Sequence, residues 1–424
     1  MTQVPTGQPV TVGPIATLSP MERAQAGHPD ASAVDAEPEE PPSGRRPGRA
    51  RTRVRRARRR LALVCNVKPT AQPTAQPGAQ DAPTDENEEF DSPETISALA
   101  QLFTQEGYSV TVLEADRSLP RRLIAGNFDL AFNIAEGRGG RCREALVPAL
   151  CEMLGLHYTG SDPLTLAATL DKDVAKRLLL GNVKTPAWRV VRTLTDLADF
   201  DLPFPVIAKP NDEGSSKGIH DDCKCNDFHA LEALCRRLLD DYGRPVLVEA
   251  FVRGPEVTVG VVGNAHPEVV GLMHVVPTQG EPGDFIYSLQ AKRDFARRVR
   301  YAIPPELPPD ICQRLEAAAL AAFRLLDCRD VARIDFRVGP DGEPWFIEAN
   351  PLPGLSPTTG DLVIMAKAMG WSWEALITRI LREAEFRQGV LRPMLVARGE
   401  PKRKKPRSLD VVNVADSAPV AVVR

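Results

Sequence analysis

The stretch "RIDFRVGPDGEPWFIEANPLPG", Arg333 to Gly354, constrains this chain more than any other. Two apolar, strand-like runs flank Gly339-Pro340-Asp341-Gly342, a turn chemistry that folds one strand back beside the other. The hairpin nevertheless carries Arg333, Asp335, Glu348 and Asn350, groups that are costly to bury unless something pairs with them. Glu348 and Asn350 stand two apart and so project to one face of their strand. Two carboxylates and an amide oxygen gathered there are hard-oxygen ligands of the kind Mg2+ accepts when it also binds phosphate groups. A surface hairpin whose charges form ion pairs is the competing reading. A bulge at Gly342 would shift the pairing by one residue, which leaves the register open.

The 424 residues, 43% of them apolar, supply a large core and by length predict two or three domains. The net charge of -3 hides a segregated distribution, because "RRPGRARTRVRRARRR" and "RGEPKRKKPRS" are strongly basic. Residues 1–60 are rich in Pro, Gly, Ala and charge without apolar periodicity and are expected to be a disordered basic tail, with a second, flexible basic tail over 388–424. The arginine run has the chemistry to contact nucleic acid or anionic lipid, although a solvated tail is the commoner fate of a charge block. The eight cysteines form no framework, and Cys223 and Cys225 make a C-x-C with no second pair to complete a zinc site. They read as reduced thiols of a cytoplasmic protein. The N-terminus has no apolar leader and no stretch is apolar enough to cross a bilayer, so neither secretion nor membrane insertion is expected.

Order is expected from "LALVCNV", a run suited to a strand buried on both faces. A polar loop follows, then a helix from the cap Ser92-Pro93-Glu94 through Glu106, strands in "YSVTVLEA" and "FDLAFNIA", a helix over "REALVPALCEML" and the short strand "HYTG". This alternation predicts a Rossmann-like parallel α/β domain over 61–160. Beyond it, "PLTLAATLDKDVAKRLLLG" reads as one helix, "PFPVIAKPNDEGSSKGI" as strand, loop and strand, and "DFHALEALCRRLLDDYG" as an amphipathic helix. Further strands, an irregular stretch from Pro277 to Arg300, a helix, the hairpin and final helices complete an antiparallel α+β body, divided into 161–248 and 249–387.

Lys209 ends the apolar run "PVIA" and precedes a Gly-Ser loop, a pairing suited to phosphate: the ammonium supplies charge, and the backbone N–H groups of Gly214, Ser215 and Ser216 supply donors. Neither the P-loop pattern nor a G-x-G-x-x-G fingerprint after the first strand is present, which argues against a dinucleotide enzyme. Glu249 and Glu256 have the chemistry to accept hydrogen bonds from an adenine amino group and ribose hydroxyls, with Ala250, Phe251 and Val252 as apolar surface for the ring, although for either glutamate alone solvent exposure is the commoner state.

Taken in order, "YTGSDPLTLAATLDK", "VIAKPNDEGSSKG", "VEAFVRGPEVTV", "AKR", "RIDFRV" and "FIEANPLPG" resemble the ATP-grasp superfamily, most closely its D-alanine–D-alanine ligases, from about Leu61 to Glu385. The resemblance implies an N-terminal Rossmann-like domain, a small central domain and a larger C-terminal domain, with ATP clamped between the last two. It also implies Mg2+ or Mn2+, small amino-acid substrates, and a carboxylate phosphorylated by ATP before an amine displaces phosphate to form an amide bond. By motif, Lys172 and Lys209 resemble the lysines on the α- and β-phosphates, and Lys292 the mobile-loop lysine that reaches the γ-phosphate. Glu249 and Glu256 resemble the base and ribose contacts, and Asp335, Glu348 and Asn350 the metal ligands. Arg333 and the backbone N–H of Gly354 resemble the oxyanion donors, and Ser215 the loop serine that orients substrate. Such ligases are often homodimers.

Departures fall around the substrates. The family's N-terminal Gly-Gly-x-Ser-x-Glu segment, whose glutamate meets the first substrate's amine, is replaced by "NVKPTAQPTAQ", leaving Glu88 or Glu89 to supply the carboxylate. The tyrosine expected after the loop lysine is Arg293, and the histidine expected before "GRGG" is Glu136. For the second substrate's carboxylate, "LSPTTGD" offers Ser356, Thr358 and Thr359 in place of a serine-rich run. Arginine for tyrosine reverses the local electrostatics and favours a substrate other than D-alanine. Two function classes follow: a cytoplasmic carboxylate-amine ligase of peptidoglycan-precursor type or for other amino acids, or an ATP-binding regulatory or scaffold protein that kept the nucleotide site and lost ligation.

Overall fold

The computed structural model describes residues 58–69, 85 and 87–390, so the tails expected over 1–57 and 391–424 lie outside the described residues, as does most of the polar loop after the first strand. The described residues belong to one compact unit.

Its first layer is a parallel sheet in the order β2-β1-β3-β4, formed by β1 (Arg60–Cys65), β2 (Ser109–Glu114), β3 (Leu130–Asn133) and β4 (His157–Tyr158). Leu61 to Cys65 are fully buried, as a strand covered on both faces requires. Helix α1 (Pro93–Gln105) starts where expected, with the Ser92 side chain accepting from the Thr95 N–H at 3.2 Å. Helix α2 (Leu119–Gly126) was not foreseen; its only buried side chains, Leu119 and Leu123, give too short an apolar stripe to stand out. The segment "REALVPALCEML" opens as a 3-10 turn over Arg143–Ala145 and becomes α3 (Leu146–Leu154).

The expected tail boundary at residue 60 is corrected by a few residues at its ordered end. Arg60 belongs to β1, and Arg59 lies 2.8 Å from Glu385, a completely buried carboxylate that also needs Arg382. At the other end, Gln388 accepts from the Tyr158 N–H at 3.0 Å.

The helix expected over "PLTLAATLDKDVAKRLLLG" is two, α4 (Pro163–Leu170) and α5 (Lys172–Leu179). Asp171 between them is extended, and its side chain caps α5 by accepting from the Val174 N–H at 3.0 Å. A central antiparallel sheet follows in the order β5-β8-β6-β7, from β5 (Trp188–Val191), β6 (Val206–Pro210), β7 (Lys224–Cys225) and β8 (Val246–Ala250), covered by α6 (Phe228–Tyr242). The expected boundary at 248/249 falls inside β8, where Glu249 lies opposite Trp188 of β5 and Ile207 of β6.

The last sheet, β11-β10-β9-β12-β13, is antiparallel throughout: β9 (Glu256–Gly263), β10 (Glu268–Pro277), β11 (Val299–Ala302), β12 (Asp330–Val338) and β13 (Pro344–Asn350). The irregular stretch between Pro277 and Arg300 contains α7 (Leu289–Arg293) and α8 (Phe295–Arg298), while α9 (Pro309–Leu325) covers one face of the sheet. Helices α10 (Asp361–Ala368) and α11 (Trp373–Arg387) join the last sheet to the first, since Leu61, Leu63 and Phe132 share a core with Val262, Leu376 and Ile380. In the hairpin, Asp335 sits opposite Glu348 and Arg333 opposite Asn350. The bulge is at Ile347, where Phe336 already faces Phe346, rather than at Gly342. Gly342 instead takes φ +75° in the turn.

No described helix is long and apolar enough to cross a membrane, and all eight cysteines are unpaired.

Candidate functional site

A cavity of about 680 Å3, open to solvent, lies between the central sheet and the last sheet. Its apolar end is formed by Ile207, Ala250, Phe251 and Val252, and its polar end by Lys209, Lys292, Arg333, Asp335 and Glu348. The geometry follows from the strands: β6 delivers Lys209 from one sheet, while the facing pair Asp335 and Glu348 comes from the other. Ser216, Glu249 and Glu256 also line it.

Lysines and carboxylates interleave across this cavity. Glu249 is held 2.7 Å from Lys209 and 2.7 Å from Lys176, all three nearly or completely buried. Burial alone would raise its carboxyl, but the two ammonium groups lower it to about 2. Burial would likewise lower Lys209, and facing Glu249 turns the shift upward. Burial opposes ionisation of Glu348, yet Lys172, Lys209, Lys292 and Arg333 hold it well below the usual carboxylate range. Lys172 lies 3.4 Å from Glu348 and also donates to the Glu213 carbonyl. Arg333 donates to Asp335 at 3.0 Å and Asp361 at 3.2 Å. Asp335 is raised by burial, against the pull of Arg333.

Asp335 Oδ1 is buried without a hydrogen-bond partner, as is Arg333 Nε. Among the described residues, no three His, Cys, Asp or Glu side chains form a ready-made metal cage. The set Asp335, Glu348 and Asn350, whose amide lies 3.4 Å from Glu348, therefore suits a hard cation that takes its remaining ligands from phosphate and water.

A second, smaller cavity of about 450 Å3 adjoins the first sheet and is lined by Glu89, Asp91, Asn133, Glu136 and the turn Pro351–Leu355. Gly354 belongs to this cavity, while Arg333 belongs to the first. Other expected residues are engaged within the protein. Glu89 accepts both Arg143 Nη2 contacts (2.9 and 3.0 Å) and the Gly214 N–H at 3.0 Å, so that N–H is committed to a carboxylate. Glu88 pairs with Arg293 at 3.0 Å and with Lys68 at 3.6 Å. Ser215 lines neither cavity and, like Ser216, has a positive φ that shapes the loop; the Ser216 hydroxyl donates to the Tyr287 carbonyl. Thr359 is exposed, hydrogen-bonds to Ser356 at 3.0 Å and lines neither cavity.

Lys176 and Arg337 are among the residues that went unforeseen. Lys176 stands four after Lys172 on α5, a spacing that puts both on one helix face and could have revealed it. Arg337 follows Arg333 and Asp335 at strand period two, so "RIDFR" already carried the signal. Its guanidinium donates to the Val252, Gly254, Gly283 and Phe285 carbonyls, lies 3.3 Å from Glu256 and packs on the Phe251 ring.

Residues 187–382 match the family model described as the D-ala D-ala ligase C-terminus. The chain is 32% identical over 294 residues to a D-alanine–D-alanine ligase of Geobacter sulfurreducens, covering 68% of this chain and 88% of that protein. It is 34% identical over 299 residues to one of Anaeromyxobacter sp., covering 69% and 92%. It is also 33% identical over 290 residues to the uncharacterized protein y4sG of Sinorhizobium fredii, covering 68% and 84%. Among solved structures, the D-alanine–D-alanine ligase of Bacillus anthracis complexed with ATP shares the fold at TM-score 0.59 and 20% identity, covering 78% of this chain and 99% of that one. The VanG D-Ala:D-Ser ligase of Enterococcus faecalis does so at TM-score 0.58 and 20% identity, covering 77% and 99%.

Proposed function

Because the chain belongs to the D-alanine–D-alanine ligase family, we propose that it is an ATP- and Mg2+-dependent carboxylate-amine ligase that joins amino acids, with peptidoglycan-type dipeptides the reference product. The observation that carries this reading is the cavity itself. It brings together, in one cleft, an apolar slot for a base and, for a triphosphate, Lys209, Lys292, Asp335 and Glu348, with Lys172 3.4 Å from Glu348.

Within this reading, Ala250, Phe251 and Val252 hold the base, Glu249 accepts from its amino group, and Glu256 accepts from the ribose. Lys172, Lys209 and Lys292 offset phosphate charge, the work that phosphoryl transfer chiefly demands of a protein. Mg2+ bound by Asp335, Glu348 and Asn350 would supply the remaining positive charge on the phosphate oxygens. Arg333 and the Gly354 N–H face charge that develops on the reacting carboxyl group, where a preorganised donor is worth about 2.7–4 kcal/mol. The Gly214–Ser216 loop reaches the first cavity through Ser216 and is tied to Glu89 in the second through the Gly214 N–H, and Ser215 shapes it from outside both. A cytoplasmic setting accords with ATP as substrate and with eight unpaired cysteines, and size-exclusion chromatography with light scattering tests for a homodimer.

The deciding experiment is phosphate release from ATP and Mg2+ with pools of D- and L-amino acids, with products identified by mass. Amide products and their loss in Glu348→Ala are expected. Tight ATP binding with no phosphate release from any pool would replace the ligase with an ATP-binding regulatory protein.

A further inference from the structure

We infer that the second cavity takes a basic amino acid, one whose side chain carries a positive charge in addition to the α-ammonium. This assignment rests on the ligase reading, because it names the first substrate of that reaction.

The cavity is lined by three carboxylates, Glu89, Asp91 and Glu136, and by no lysine, arginine or histidine. Glu89 is neutralised within the protein by Arg143 and Lys217. Asp91 and Glu136 are not: no described group forms a hydrogen bond or ion pair with either carboxylate. Burial pushes Asp91 up to about 7. Burial also raises Glu136 well above the usual range, helped by Glu144, Glu89 and Asp91 and opposed by Arg143. Both residues are half-buried, and two unpaired carboxylates in one cavity wall form a receptor for positive charge.

An independent observation concerns Asn133 in the same wall. It is 4% exposed; Oδ1 accepts from the Ala135 N–H at 3.2 Å, while Nδ2 is buried with no partner. A stranded donor calls for an acceptor on the ligand, which a carboxylate provides. An amino acid, the substrate class of the ligase reading, carries both an acceptor and positive charge, and two unpaired carboxylates outnumber the single ammonium of alanine. Ile134, Leu352 and Leu355 line the cavity as apolar surface for a methylene stem.

The test is calorimetric titration of the full chain, with ADP and Mg2+ present, by D- and L-lysine, ornithine, norleucine and alanine. Norleucine keeps the stem of lysine and removes the charge. Lysine or ornithine of one hand is expected to bind at least about tenfold tighter than norleucine or alanine of that hand, the scale of one charge-assisted hydrogen bond. Glu136→Gln and, independently should that variant misfold, Asp91→Asn are each expected to shrink this ratio severalfold. Equal binding of norleucine and lysine, or an unchanged ratio in the folded variants, overturns the assignment. Phosphate release with alanine and no basic preference would sink the inference and leave the ligase reading standing. Tight lysine binding without phosphate release from any amino acid would do the reverse.

Discussion

Replacing either member of the buried pair Lys176 and Glu249 should destabilise the protein very unequally. Glu249 sits 2.7 Å from both Lys176 and Lys209, so the three form a buried group of net charge +1. Lys176→Met removes a positive charge and leaves a matched Lys209–Glu249 pair in a cavity of nearly conserved volume. The loss is chiefly the interaction with Glu249 and the 3.3 Å bond to the Phe346 carbonyl, about 1–3 kcal/mol. Glu249→Gln leaves two buried ammonium groups facing a neutral amide, an uncompensated arrangement that costs about 3–5 kcal/mol. The pH dependence gives a second check. The Glu249 carboxyl is lowered from 4.5 to about 2 on folding, a difference worth about 3 kcal/mol. Because the folded value is depressed, that stabilisation is complete above the unfolded value near 4.5 and is lost as the pH falls toward 2. Urea unfolding followed by tryptophan fluorescence measures both effects, with Trp188 beside Lys176 as a local reporter. The gap between wild type and Glu249→Gln should be constant from neutral pH to about 5 and narrow below it. A Lys176→Met variant that loses as much stability as Glu249→Gln would refute the charge count.

Glu348→Ala should lower phosphate release by about two orders of magnitude or more while urea stability changes far less, as expected for a group that stabilises charge in the transition state. Arg337→Met removes donors to four carbonyls, two of them at Gly283 and Phe285, and should raise the KM for ATP and speed tryptic cleavage between residues 279 and 298 severalfold. Unchanged cleavage would show that Arg337 does not hold that segment. Gly214→Ala would drive a Cβ into Glu89 Oε1, and moving that carboxylate off Arg143 should cost about 1–3 kcal/mol, read by urea midpoint.

The clustering of Lys209, Asp335 and Glu348 in one cavity was legible because these residues are carried by segments that one strand or one hairpin presents together. Asp335 and Glu348 fall opposite each other in a hairpin whose turn is spelled out in sequence, and Lys209 ends a strand of plain apolar pattern. Where pairing depends on distant segments, the reading stopped short. Nothing local to Glu89 announces Arg143 or the Gly214 N–H, because the three come from a loop, a 3-10 turn and another sheet's loop. Helix α2 and strand β5 were missed for a simpler reason, as each buries too few side chains to impose a period. The break at Asp171 was hidden by apolar spacing that runs on through it, although aspartate before "KDVA" is a cap in its own right.

The adjacent residues Glu88 and Glu89 tie the two cavities together. Glu88 holds Arg293 on α7, the helix that also carries Lys292 into the first cavity. Glu89 lines the second cavity and holds the N–H of Gly214, two residues from Ser216 in the wall of the first. A ligand that settles α7 or the Gly-Ser loop therefore acts on the segment that forms the wall of the other cavity. Filling one site should raise affinity at the other, and linkage makes the effect equal in both directions. Titration of the preferred amino acid with and without a non-hydrolysable ATP analogue is expected to give a Kd ratio of about fivefold or more. Glu88→Gln breaks a partly exposed pair, so its stability cost should stay below about 1 kcal/mol while the Kd ratio falls toward one. A ratio that survives Glu88→Gln intact would show that coupling, if present, runs through Glu89 and the Gly-Ser loop alone. A wild-type ratio of one would mean that the two cavities fill independently.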